Sequence, residues 1–134
     1  MTRTLVLVVD DRLDVRRVVA DWLKHDGYDV VEAQDVYTAV QAVREITDLR
    51  MVLTDLQFTN STARDLHQRV GGIIQDRRGL FVVMTGSSFE DPNLKPYGDY
   101  FTQHNIPVFH KPIKFGAELL PFLGRFRDAL LVGG

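Results

Sequence analysis

Five short apolar runs alternate along the chain with stretches whose apolar residues recur every three to four positions. Leu5 to Val9 is continuously apolar and rich in β-branched residues. That pattern predicts a strand buried on both faces, as in a parallel sheet. Asp10 and Asp11 stop it abruptly, and the period then changes. Val15, Val18, Val19, Trp22 and Leu23 follow i, i+3, i+4, i+7, i+8 and form one stripe of an amphipathic helix. Trp22 lies on that stripe and is read as core. Arg12, Arg16, Arg17 and Lys24 fall off it, and Gly27 is placed to end the helix in a left-handed conformation.

The alternation then repeats. Tyr28 to Ala33 reads as a second, weaker strand. Asp35 is placed to cap a helix with Val36, Ala39, Val40 and Val43 on its buried face. Met51 to Thr54 forms a third strand ending at Asp55, followed by polar, loop-like residues 57–62. A third helix over about 62–76 turns Ala63, Leu66, Val70 and Ile73 inward, weakened by Gly71 and Gly72 at about 1 kcal/mol each relative to Ala. Leu80 to Met84 is a fourth strand, ending at Thr85-Gly86. Pro92 and Pro96 forbid one long helix between Ser87 and Asn105, so a loop and a short helix near 97–104 are expected. Pro107 to His110 is a short fifth strand, ending at Lys111-Pro112. Leu119, Leu120, Leu123, Phe126 and Leu130 mark a last helix, which Pro121 forces to start late or to kink.

Five strand–helix repeats specify an α/β doubly wound sheet, with right-handed crossovers. In such sheets sites form beyond the carboxyl ends of the strands. That edge collects Asp10, Asp11, Asp55, Thr85 and Lys111.

Composition narrows the chemistry. The 134 residues suit a single domain spanning 1–134, with a core of about 4–131 and no effector domain. There is no cysteine, which excludes a disulfide framework, a Cys zinc site and a thiol nucleophile. The formal charge of −2 and the lack of a basic block give no reason to expect nucleic acid or membrane as a partner. No apolar run is long enough for a membrane span or a secretory leader, so a cytoplasmic protein is expected. The four histidines are scattered and none is assigned to a metal.

Three carboxylates converging with one lysine repel one another and raise one another's pKa. A hard divalent cation with oxygen ligands relieves that, and Mg²⁺ (or Mn²⁺) suits few carboxylates plus water. The chemistry that fits is phosphoryl transfer. Asp55 would be the nucleophile, Lys111 a counter-cation for phosphoryl oxygens, Thr85 a hydroxyl donor, and Gly86 would leave room beside them.

Asp10-Asp11, Asp55, Thr85 and Lys111-Pro112, each after its own strand, make the chain resemble the CheY-like receiver domains of two-component response regulators. The resemblance covers almost the whole chain. It implies a flavodoxin-like sheet in the order 2-1-3-4-5 with helices on both faces. It implies that Asp55 accepts a phosphoryl group from a sensor histidine kinase or histidine phosphotransfer protein. Asp11 and Asp55 would contact the metal directly, Asp10 would act mainly through water, and the backbone carbonyl of Gln57 would complete the ligands. Thr85 and Lys111 would follow the phosphoryl group, switching a surface that binds a downstream protein. The domain would be a monomer or a phosphorylation-dependent dimer.

The chain departs from the family's pattern in three places. Thr59 and Ala63 stand where a Pro and then a Gly are usual. The segment between Thr85 and Lys111 is about four residues longer and carries two prolines. Val108, followed by Phe109, occupies the position of the switch aromatic, so Thr85, Val108 and Phe109 are the candidate switch residues. Tyr97, Tyr100 and Phe101 either pack the core or form a partner surface. His110 is expected to face a helix rather than the site. Two rivals stand beside this reading. One is a degenerate receiver that binds partners without phosphorylation. The other is a haloacid-dehalogenase-like phosphatase, for which Gln57 lacks the required second acid.

Overall fold

The computed structural model describes residues 3–133; the expected domain span also takes in 1, 2 and 134, which lie outside them. The strands are β1 (Leu5–Val9), β2 (Asp29–Ala33), β3 (Met51–Asp55), β4 (Leu80–Thr85) and β5 (Val108–His110). The helices are α1 (Leu13–His25), α2 (Val36–Glu45), α3 (Ala63–Asp76), α4 (Lys95–Gln103) and α5 (Leu120–Gly133). All five strands pair in parallel in the order β2-β1-β3-β4-β5. The strand order reverses beside β1 and β3, so Asp10 and Asp55 end adjacent strands at the switch point.

Each face of the sheet has its own apolar layer. Leu7, Val9, Val52 and Val83 pack with α2, α3 and Phe101 of α4. Val6, Val8, Leu53, Val82 and Met84 pack with Val19 and Leu23 of α1 and with Leu119 and Leu123. This is the period-two consequence of strands covered on both sides.

Local signals set most helix ends. Gly27 adopts φ +96° just past α1, where the Tyr28 N–H donates back to the Leu23 carbonyl. Asp35 Oδ1 accepts the Thr38 N–H at 2.7 Å and caps α2. Asp65 Oδ2 accepts the Thr62 N–H at 2.8 Å and closes the start of α3. Arg77, just past α3, donates to the carbonyls of Val43, Ile46 and Leu49, tying α3 to the end of α2.

Several side chains sit differently from the expectation. Trp22 and Val18 are 44% and 51% exposed, not core; α1 buries Val19, Ala20 and Leu23. The apolar stripe of α1 is wider than the face the sheet covers. Trp22 instead stacks flat on Phe115, with ring centres 5.0 Å apart. In α3 the buried isoleucine is Ile74, and Ile73 is only half-buried. Helix α4 starts at Lys95, because Pro96 falls in its first turn, where no intrahelical donor is lost. Pro121 likewise sits in the first turn of α5, behind a π-helical turn over Phe115–Leu119, so the last helix begins late.

Candidate functional site

The end of β1 delivers Asp10 and Asp11 to the top edge of the sheet, and the end of β3 delivers Asp55. One carboxylate oxygen from each lies within 4.8 Å of the others. Asp10 is 1% exposed, Asp55 half-buried and Asp11 exposed. Lys111, carried past β5, reaches between two of them. Its Nζ lies 3.4 Å from Asp10 Oδ2 and 3.3 Å from Asp55 Oδ1. The backbone fixes the rest of the geometry. Asp10 Oδ1 accepts the Arg12 N–H at 3.0 Å, and Asp55 Oδ1 accepts the Leu56 N–H at 2.9 Å. The Lys111 N–H donates to the Thr85 carbonyl at 2.7 Å, so β4 sets where the lysine stem begins.

Thr85 is buried, and its Oγ1 accepts the Ser87 N–H at 3.0 Å. That bond spends an oxygen lone pair and leaves the hydroxyl proton free to donate. Gly86 follows, and a Cβ there would meet only Lys111 Cβ, at 4.0 Å. Gln57 is exposed and pairs with Thr62 across a tight loop, in which the Phe58 N–H donates to the Ser61 carbonyl at 2.9 Å. The loop after β3 therefore closes without the Pro and Gly usual in the family, through backbone bonds from residues 57–62.

Two residues of the site's support fell outside the sequence reading. Arg16 Nη1 donates to the Asp10 carbonyl at 2.8 Å, while its Nε pairs with Glu32 at 3.0 Å. This pair clamps the end of β1 from α1 and β2. The only sequence signal was that Arg16 lay off the apolar stripe.

The donor set is oxygen only, compact and net negative with one lysine. It fits a hard divalent cation such as Mg²⁺ rather than a nitrogen- or sulfur-seeking ion. Burial pushes the Asp55 carboxyl above its ordinary value of 3.8; Lys111 opposes the shift and Asp10 adds to it. A sign follows for metal-free protein. Folded Asp55 holds its proton to higher pH than the unfolded chain does. Its contribution to stability is therefore greatest below 3.8 and falls as pH rises through the folded-state pKa. In urea titrations at a series of pH values in EDTA, Asp55→Asn is expected to flatten this fall. An identical pH profile for both proteins would refute the shift.

On the output side, Val108 packs with the α3–α4 layer and Phe109 with the opposite one, its ring 5.4 Å from Phe122. Phe101 is buried, whereas Tyr97 and Tyr100 are half-buried and join α4 to α3. The Arg64 guanidinium lies 4.7 Å from the centre of the Tyr97 ring. His110 is exposed and faces Phe89 of the β4–α4 connection, edge to ring at 6.0 Å, rather than a helix. Phe89 in turn fills the space over Gly98, where a Cβ would meet its Cγ at 2.8 Å. The extra residues before α4 thus tuck an aromatic side chain under the helix.

No family model matches the chain, and no curated protein matches it in sequence. Solved structures do match over nearly its full length. A response regulator receiver protein from Pseudomonas putida superposes with a TM-score of 0.78, covering 93% of this chain and 98% of its own, at 24% identity. The chemotaxis response regulator CheY4 of Vibrio cholerae gives 0.75, covering 93% and 99%, at 22% identity.

The chain has the receiver fold.

The N-terminal domain of an uncharacterised protein from Wolinella succinogenes also shares it, with a TM-score of 0.81 at 16% identity, covering 99% of this chain and all of that domain. Within the receiver fold, the edge that carries Asp10, Asp11, Asp55 and Lys111 is the carboxyl edge of the sheet. Among the described residues, no helix is long and apolar enough to cross a membrane.

Proposed function

We propose that this chain is a phospho-acceptor receiver, and that Asp55 takes a phosphoryl group from a phosphohistidine on a sensor histidine kinase or phosphotransfer protein. The observation that carries this reading is the meeting of three carboxylates within 4.8 Å, with Lys111 Nζ bridging two of them. A carboxylate oxygen of Asp55 attacks phosphorus, a P–O bond forms and the P–N bond to imidazole breaks. The imidazole leaves with the electron pair. Asp55 Oδ1 is held by Lys111 and the Leu56 N–H, while Oδ2 accepts no hydrogen bond among the described residues and is open for attack. Asp11 and Asp55, with Asp10 through water and the Gln57 carbonyl, would hold Mg²⁺. When bound, that ion supplies positive charge to the transferring phosphoryl oxygens.

Lys111 then has a new anion to follow, and the free hydroxyl proton of Thr85 has an oxygen to meet. Because Thr85 Oγ1 also holds the Ser87 N–H, its movement would pull the first residues of the β4–α4 connection. Val108 offers no ring to relay that motion, so the route outward would run through Ser87 and Phe89 to α4. The surface around α4 and β5 would then engage a downstream protein. The deciding experiment is incubation with acetyl phosphate and Mg²⁺, followed by intact-protein mass spectrometry. A gain of one phosphoryl group, prevented by EDTA, is expected. Protein that stays unmodified with saturating donor and Mg²⁺ would overturn the proposal.

A further inference from the structure

The flank between α3 and α4 carries a second group of chemistry-bearing side chains, remote in sequence from the carboxylates. His67 of α3 and His104 at the end of α4 have ring centres 5.3 Å apart, with planes tilted by 60°. With metal–nitrogen bonds of about 2.0–2.1 Å, two imidazoles on one tetrahedral ion have ring centres about 5 Å apart. The observed spacing of ring centres is close to that value.

His67 is also oriented as a ligand would be. Its Nδ1 lies 2.8 Å from the Tyr100 hydroxyl. With Nδ1–H donating to that oxygen, Nε2 keeps its lone pair, and the ring is held by a neighbour that does not itself bind the ion. No side chain among the described residues hydrogen-bonds to Nε2. Gly71 makes this orientation possible. A Cβ at position 71 would lie 2.6, 2.8 and 2.9 Å from Nε2, Cδ2 and Cε1. Such near-equal distances mean that the ring lies face-on over the glycine. The two histidines line one cavity of about 330 Å³, and Gln75 and Asn105 are among its other lining residues.

We propose that His67 and His104 form a binding site for a borderline divalent cation such as Zn²⁺ or Ni²⁺, completed by water and an amide oxygen of Gln75 or Asn105. Imidazole prefers such ions, whereas the carboxylate site prefers Mg²⁺, so ligand chemistry sorts two cations to two places. Arg78 also lines the cavity, and its positive charge opposes the incoming ion. A bound ion would tie the middle of α3 to the end of α4 and restrain that helix.

The test is isothermal titration of untagged protein with Zn²⁺ in excess Mg²⁺, paired with NMR of the histidine rings. One ion per chain is expected, with His67 and His104 signals shifting together. His67→Gln and His104→Gln should each weaken binding at least 10-fold, and Asp11→Asn should leave it unchanged. His104 is exposed, so His104→Gln reads out binding even if His67→Gln fails to fold. Zn²⁺ affinity unaltered by His104→Gln, or lost in Asp11→Asn, would overturn the site.

Discussion

Asp55→Asn protein is expected to take up no phosphoryl group from acetyl phosphate and Mg²⁺, under conditions that modify every wild-type molecule. The loss should be complete rather than partial, because the substitution acts twice. A carboxamide oxygen is a far weaker nucleophile than a carboxylate oxygen, and the proposed divalent ion would lose one of its anionic ligands. The neighbouring acids are poor substitutes. Asp10 is 1% exposed, with its oxygens committed to the Arg12 N–H and to Lys111. Asp11 is exposed and lacks the lysine contact that Asp55 has. Asn is nearly isosteric with Asp, so the fold should persist, and far-UV circular dichroism of the two proteins should coincide. Undiminished mass gain in Asp55→Asn would assign the acceptor elsewhere.

The largest effect on stability is expected from a single methyl group at the start of β4. A Cβ on Gly79 would lie 2.8 Å from Ile74 Cγ2 and in direct collision with the Arg50 carbonyl oxygen. That oxygen accepts the Leu80 N–H at 2.8 Å, so it cannot retreat without loosening the junction of β3 and β4. Gly79→Ala should cost about 3 kcal/mol, the upper end of overpacking penalties. For a domain of this size that lowers Tm by on the order of 10 °C. Gly72→Ala is the matched control, since a Cβ there meets nothing within 4 Å and the residue lies inside α3. It should stabilise by about 0.5–1 kcal/mol through helix propensity alone. Thermal melts of both variants check the pair, and equal shifts would show that the close approach to Arg50 has no energetic weight.

The strands and their order of succession were legible because a doubly covered strand leaves an unbroken apolar run. The gathering of Asp10, Asp11, Asp55 and Lys111 was legible for a related reason. Parallel strands bring all their carboxyl ends to one edge, so residues distant in sequence become neighbours by topology. Coverage was not legible. The α1 stripe shows which residues are apolar, not how many the sheet can shield, and so Val18 and Trp22 were placed inside. Nor did proline positions distinguish a helix that Pro interrupts from one that Pro begins, as at Pro96. The Arg16–Glu32 clamp on the Asp10 carbonyl could not be read either, since it joins two elements whose side-by-side placement only the fold supplies.

The stacked pair of Trp22 and Phe115 has a practical consequence. Trp22 is the only tryptophan in the chain, so the protein's indole emission comes from one place. That place is the seam between α1 and the π-helical turn, four residues beyond Lys111. The indole is therefore an intrinsic optical reporter of whether Lys111 drags the chain behind it when its anionic partner changes. A steady emission spectrum through phosphorylation would mean that the lysine moves alone.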